Sequence, residues 1–401
     1  VTQASAAAEP VALRAQGLVC AAGTGLGALA EAVHSGRSGL RANDWSRVAL
    51  DTWIGRAPGV DALRLPPALA HWDCRATRLA WLGLQADDFF TAAQAARQRH
   101  GAARVGLVLG TSASTIGASE SAYRALTADG GFPAPLRQER LNTLHALALF
   151  VQEALALDGP AVTVSTACSS SAKALALGAR WLRQGLVDAV VVGGVDALCE
   201  SILFGFAALQ LVSGEPCRPF DTARQGISVG EAAAFALLER GGGSLCLLGH
   251  GESNDAHHMS SPHPQGLGAE RALDAALARA GLQATDIDHL QLHGTASARN
   301  DEVEAALVAR RYGPQVHASA GKGLTGHTMG AAGLLQALLC LLALRDGLQA
   351  GSTGTRQVDA AFGAGFMQQL RLQARNAPVR HAASHAFGFG GNNCVLVFGS
   401  R

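Results

Sequence analysis

Val162-Thr163-Val164-Ser165-Thr166-Ala167-Cys168-Ser169-Ser170-Ser171-Ala172-Lys173 reads as a strand, a sharp turn of small residues and the start of a helix. The β-branched residues suit a pleated surface. The serines and alanines leave room for a tight turn, and an Ala/Leu-rich helical pattern follows as far as Gln184. Cys168 therefore falls at a strand-to-helix junction. A thiol there faces the partial positive charge of a helix N-terminus, which lowers its pKa and favours thiolate. An arbitrary cysteine is ordinarily a buried structural residue; the elbow is what marks this one as chemical.

The same alternation extends along the chain. Short β-rich apolar runs at 104–109, 161–165, 189–192, 245–248, 289–292 and 394–398 are interleaved with helical patterns at 76–89, 170–184, 270–280, 302–311 and 331–344. This predicts an α/β architecture with at least partly parallel sheets. Val187-Asp188-Ala189-Val190-Val191-Val192-Gly193 is nearly continuous in apolar residues, as expected of a strand covered on both faces. Gly241-Gly242-Gly243-Ser244, after the strand-like run 232–239, divides the chain into units 1–243 and 244–401. So short a linker argues against independent domain motion. The apolar stretch 331–344 falls short of the ~20 residues a membrane helix needs, so a buried helix and no membrane insertion are expected.

Of 401 residues, 48% are hydrophobic, 16% are charged and 48 are glycine. Disorder, coiled coil and collagen do not combine these features. With 32 basic and 31 acidic side chains the net charge is +1, and without a basic run no nucleic-acid partner is expected. Eight cysteines form no C-x-x-C pair, so zinc-ribbon and thioredoxin readings lack support and a reduced, cytoplasmic compartment is expected. No signal peptide is expected from the first residues.

Three more segments carry chemistry. His293-Gly294-Thr295 follows a strand-like run, at the end of a strand where α/β sheets hold their sites. Lys322 to Gly333 is a glycine-rich turn that contains His327 and opens the apolar helix, and Gly388-Phe389-Gly390-Gly391-Asn392-Asn393 is a flexible turn before the last strand. His250, His257, His258 and His263 fit no zinc spacing, and no metal site is expected.

With Cys168, these segments resemble the elongating, decarboxylating β-ketoacyl-[acyl carrier protein] synthases over nearly the whole chain. Arg218-Pro219-Phe220-Asp221, Gly230-Glu231, and Asp301 with Glu304 match as well. The resemblance implies a thiolase-like fold: five layers, αβαβα, in two pseudo-equivalent halves, as a homodimer or a ketosynthase heterodimer. It implies Cys168 as nucleophile, with His293 and His327 stabilising the enolate left by malonyl decarboxylation. Backbone N–H groups of Cys168 and Phe389 would hold the oxyanion. Lys322 would pair with Glu304 in an organising role, Phe389 would act as a gate, Phe206 would border the acyl tunnel, and Thr295 and Ser297 would bind pantetheine amides. No cofactor is implied, because the substrates ride on the phosphopantetheine of acyl carrier protein. Arg75 and Arg78, three apart on one helix face, are candidate contacts for that acidic partner.

Gln225, Ile227, Ala232 and Gly323 depart from common family residues. The stretch 252–258 and the Gly390–Asn393 ending resemble synthases of specialised pathways such as aryl polyene or polyketide assembly. Two rival readings are a non-catalytic carrier-protein-binding subunit of a heterodimer and a thiolase-type acyl transferase.

Overall fold

Valine- and alanine-rich strands build two sheets in the computed structural model, which describes residues 9–133 and 139–401. The first sheet contains β1 (Val11–Cys20), β2 (Gly23–Thr24), β5 (Val105–Gly110), β6 (Ala161–Val164), β7 (Ala189–Asp196) and β9 (Ala232–Arg240), in the order β2-β1-β9-β7-β5-β6. The second contains β10 (Cys246–Asn254), β11 (His289–Gln291), β12 (His317–Ser319), β15 (His381–Gly388) and β16 (Asn392–Gly399), in the order β10-β16-β15-β11-β12. A small third sheet joins β3 (Leu40–Ala42), β4 (Trp53–Gly55) and β8 (Val229–Gly230), and β13 (Leu348–Gln349) pairs with β14 (Arg375–Asn376).

The two large sheets repeat one another. Apart from the short β2, both run third, second, fourth, fifth, first when each half's strands are taken in chain order. Directions agree too: β5 pairs in parallel with β6 and β7, as β11 does with β12 and β15. In both halves the fifth strand runs antiparallel to its two neighbours. A register shift occurs near the start of the first strand of each, at Leu13/Ala15 and at Leu247/Gly249.

Helices complete the layers. α2 (Arg75–Gln85), α3 (Phe89–His100) and α5 (Ala146–Leu155) share an apolar core with the outer face of the first sheet. α8 (Leu267–Ala280), α9 (Ala298–Arg311) and α12 (Gly363–Gln369) do the same for the second. Between the sheets lie α1 (Leu26–Ser35), α6 (Ser170–Arg183) and α11 (Ala332–Asp346), in a core contributed by both halves. The short helices α4 (Ile116–Arg124), α7 (Glu200–Ala208) and α10 (Lys322–Thr325) lie in connecting segments. The architecture is thus the five-layered, duplicated α/β fold.

α11 is apolar all round because it is buried all round. The stretch Met329–Asp346, at 18 residues, would be long and apolar enough to cross a membrane, but 83% of it is buried inside the protein. The continuous strand expected around 189–192 is β7, buried at every position. One expected helix, 76–89, is instead two. Asp87 and Asp88 take φ of 54° and 58° between α2 and α3. The Asp87 carboxylate there accepts the Leu26 N–H at 2.9 and 3.0 Å. That bond caps α1, whose own N-cap is Gly25 and has no side chain to do so.

Candidate active site

Strand ends from both halves converge on one cavity. β6 runs through Thr166 and Ala167 to Cys168, and α6 begins two residues later. Ala167 has φ 51°, a strained left-handed conformation for a residue with a Cβ. Ser170 holds it: its Oγ accepts the Thr166 N–H at 2.9 Å and donates to the Ala167 carbonyl at 2.6 Å. His293 follows β11, and His327 lies just beyond α10. Cys168 Sγ is 3.0 Å from His327 Nε2. The sulfur and one nitrogen of each ring lie within 4.8 Å of one another, and the two rings stand 5.5 Å apart at 86°.

Neighbours decide which ring nitrogens carry protons. The Met329 N–H donates to His327 Nδ1 at 3.2 Å, and the Lys322 ammonium faces His293 Nδ1 at 3.4 Å. Both Nδ1 atoms are thereby acceptors, so both Nε2 atoms carry hydrogen. Burial holds both histidines well below the usual imidazole range, with the Lys322 charge adding to the effect. The site therefore contains two neutral imidazoles with Nε2–H donors. A Cys-His-His set of this spacing has the donor types for a soft divalent cation, but rings protonated on Nε2 offer N–H groups, not lone pairs.

Cys168 departs from expectation. Burial pushes its thiol up to about 11, although Lys322 and the N–H groups of Phe389 and Cys168 pull downward. Desolvation outweighs the favourable groups, so the resting group is a thiol, not the expected thiolate. The same two N–H groups mark where an oxyanion would be received.

The expected Lys322–Glu304 ion pair is not made. Lys322 is buried, donates to the His293 carbonyl and lies 3.5 Å from Gln336 Oε1. Burial lowers its ammonium to about 8 against the pull of Cys168 and Glu304. Glu304 instead accepts the His293 and Gly294 N–H groups, both at 2.7 Å, and His385 Nδ1 at 3.0 Å. Its role is to clamp the peptide that carries His293. Asp301 accepts from Phe220 and Thr295 N–H at 2.7 and 3.2 Å. Where Gly323 stands, an added Cβ would meet the Thr353 carbonyl at 1.7 Å, which explains the glycine beside Lys322.

The cavity measures about 460 Å³ and is lined by Cys168, His293, His327, Phe206, Thr295, Ser297 and Phe389 among others. The rings of Phe206 and Phe389 meet edge to face at 5.9 Å. Thr295 Oγ1 and Ser297 Oγ are 2.8 Å apart. The Phe389 turn is tied by Gly390 N–H to the Met259 carbonyl at 2.7 Å. Arg75 and Arg78 each have carboxylate partners within the chain. Arg75 pairs with buried Glu231 at 2.6 Å and with Asp61, and Arg78 pairs with Asp73. His250 is buried, and the rings of His257 and His263 lie 5.2 Å apart, tilted at 59°. Sequence reasoning missed His385, Tyr312, Gln336 and Asp196. Asp196 accepts the Gly330 and Ser112 N–H groups at 2.7 Å and so ties the two halves together beside His327.

Comparison with known proteins points to one family. The pattern of the β-ketoacyl synthase N-terminal domain matches residues 8–242, and that of its C-terminal domain matches residues 245–356. Nodulation protein E of Rhizobium meliloti (strain 1021) is 34% identical over 309 residues, which is 74% of this chain and 76% of that protein. The 3-oxoacyl-[acyl-carrier-protein] synthase 2 of the same strain is 35% identical over 260 residues, covering 60% of this chain and 61% of that one. Among solved structures, a ketosynthase in complex with its chain length factor from Xenorhabdus doucetiae superposes with a TM-score of 0.88 at 33% identity, covering 98% of each chain.

Proposed function

The chain belongs to the β-ketoacyl synthase family, and from that premise we propose that Cys168, His293 and His327 carry its reaction. The enzyme is an acyltransferase that condenses an acyl thioester with malonyl-[acyl carrier protein], giving 3-oxoacyl-[acyl carrier protein] and carbon dioxide. Neither the thiolase nor the non-catalytic reading is needed. Its substrates arrive on phosphopantetheine, and no separate cofactor takes part.

Acylation comes first. Cys168 sulfur attacks the thioester carbonyl, its proton passes to the departing pantetheine thiolate, and the N–H groups of Cys168 and Phe389 hold the oxyanion. Malonyl carrier protein then binds. Its carboxylate leaves as carbon dioxide, and the electron pair moves into the thioester as an enolate. Two Nε2–H groups stabilise that charge without transferring a proton, which would quench the nucleophile. The carbanion attacks the Cys168 thioester and the sulfur departs as thiolate, recovering a proton from solvent. The observation that carries this assignment is the convergence of sulfur and two neutral rings within 4.8 Å.

The expected test is direct. Cys168→Ala abolishes condensation and leaves no acyl mass on the protein. His327→Ala slows malonyl decarboxylation by about 10²–10³, the usual cost of one oxyanion donor, with a small change in melting temperature. Retained elongation in the first variant, or a collapse of stability with normal turnover in the second, would contradict these roles.

Thr295 and Ser297 are proposed as pantetheine contacts, Phe206 as a border of the acyl channel and Phe389 as its gate; their position in the cavity lining supports these roles. Residues 1–243 and 244–401 are taken as the halves that supply nucleophile and imidazoles respectively. A second ketosynthase-like subunit is proposed to cover β6. The equivalent edge strand β12 is covered by its own chain, through Arg371 N–H to the Ala318 carbonyl at 2.8 Å. Among the described residues no strand pairs with the outer edge of β6, which is half-buried throughout, and Leu149 on the adjoining α5 is exposed. The stretch 252–258 and the Gly390–Asn393 ending favour a specialised pathway such as aryl polyene or polyketide assembly. The companion is either a second copy of this chain or a subunit like the chain length factor of the Xenorhabdus complex; light scattering with and without such a subunit separates the two. A cytoplasmic location is proposed with it, because eight unpaired thiols suit a reducing compartment.

A further inference from the structure

Behind the catalytic cavity lies a buried chain of hydroxyl, imidazole and carboxylate that the reaction above does not use. Tyr312 Oη is 2.8 Å from His385 Nε2, and His385 Nδ1 is 3.0 Å from Glu304 Oε1. His385 and Glu304 are at most 1% exposed and Tyr312 is 5% exposed. Because a carboxylate only accepts, His385 donates through Nδ1–H and receives the Tyr312 hydroxyl proton at Nε2. The order matches a nucleophilic triad, but Tyr312 packs in the outer core of the second half. Its hydroxyl has no substrate to attack.

Two routes lead from His385 to His293. The first is polar: Glu304 grips the N–H groups of His293 and Gly294 at 2.7 Å each, and His385 holds the carboxylate in that orientation. The second is steric. The His385 ring packs against that of Phe387 at 5.0 Å and a tilt of 33°, and the Phe387 ring lies 5.9 Å from that of His293. Gln336 fixes His385 from behind, donating through Nε2 to the His385 and Leu292 carbonyls at 3.0 and 2.7 Å. Backbone and ring of His293 are thus both referred to one side chain.

We propose that His385, set by Tyr312, is a positioning residue that aims the His293 N–H at the developing enolate. It touches no reacting atom. Since Cys168 acylation uses the oxyanion groups of Cys168 and Phe389, and decarboxylation uses His293, displacing His385 separates the two half-reactions. This inference rests on the roles assigned above.

The test compares wild type with His385→Leu, His385→Asn and Tyr312→Phe, measuring Cys168 acylation by intact-protein mass spectrometry and carbon dioxide release from malonyl carrier protein. His385→Leu is expected to slow decarboxylation about 10- to 100-fold while acylation changes less than about twofold. His385→Asn keeps a donor where Nδ1 stood and recovers most of that loss. Tyr312→Phe, which removes one oxygen and keeps the ring, slows decarboxylation about threefold. Equal loss in both half-reactions, equal behaviour of Leu and Asn, or unchanged decarboxylation would overturn the proposal. Should His385→Leu fail to fold, an unchanged ratio of half-reactions in Tyr312→Phe overturns it. Absence of both half-reactions in the wild type would instead overturn the reaction assigned to the enzyme, and this inference with it.

Discussion

With its thiol pushed up to about 11, Cys168 at pH 7 is thiolate in roughly one molecule in ten thousand. Alkylation by iodoacetamide should therefore climb about tenfold per pH unit from pH 7. Lys322, lowered to about 8, loses its charge along the way. A cation lowers a neighbouring thiol, so its loss raises Cys168 and flattens the climb above about pH 8. In Lys322→Met the pull is absent at every pH: alkylation at pH 7 is expected to fall about tenfold, and the profile to lose its flattening. Labelling rates followed by mass spectrometry at Cys168 check both outcomes; an unchanged profile would mean that Lys322 does not act on the sulfur. At this scale Cys168, His293 and His327 were legible because small residues and glycines surround each and mark its turn. The ionisation of Cys168 was not, since its burial is completed by segments distant in sequence, among them those that carry His327 and Phe389. His385 was illegible for a related reason: it sits in a strand with no turn to mark it, and Glu304 and Tyr312 approach it only in the fold.

Among the elements, the two central helices carry the site, because α6 begins beside Cys168 and α11 begins beside His327 and its neighbours. Their separation is set by Gly333, where an added Cβ would lie 2.6 Å from the Ala172 nitrogen and 2.7 Å from its Cβ. Backbone cannot yield as a side chain would. Gly333→Ala is expected to destabilise the fold by about 1–3 kcal/mol, the usual cost of overpacking, and to slow Cys168 acylation as α6 is pushed from its seat. Denaturant midpoints and the acylation rate read these two effects, and a fully stable, fully active variant would show that the helices can part without consequence. Strands with unbroken valine runs, such as β7, and the apolar α11 were readable from composition. β1 and β15 were not. β1 carries Arg14 and Gln16 and a register shift between Leu13 and Ala15, while β15 is largely histidine, alanine and serine. Both are strands because flanking strands supply partners, not because their residues favour extension.

For the molecule as a whole, the layered fold buries a set of ionisable side chains, and acid sensitivity follows from it. The duplication of the sheets left no repeat to read, since sheet order survives where sequence similarity does not. His250 and His317 are lowered to about 3 and about 4, and His289, His293 and His327 fall well below the usual range, all chiefly by burial. Each stays neutral when folded but would gain a proton below about 6.5 once unfolded. Unfolding in mild acid therefore takes up protons, and stability falls as pH drops through 6.5. Asp301, raised to about 7, works in the opposite sense: folded, it holds a proton that the unfolded chain releases down to about 3.8. Asp196 is raised as well. With five histidines counted against these two carboxyls, unfolding near pH 5 is expected to take up protons on balance, each worth about 1.4 kcal/mol per pH unit. Urea midpoints measured between pH 7 and 5 should fall steeply, and potentiometric titration across unfolding should show the uptake directly. Converting His250, which touches no part of the catalytic cavity, to Leu or Phe should remove about one proton from that uptake and leave condensation untouched. A flat midpoint over this range would mean that the five rings are already charged or solvated in the native protein, and the neutral Nε2–H donors assigned to the active site would lose their basis with them.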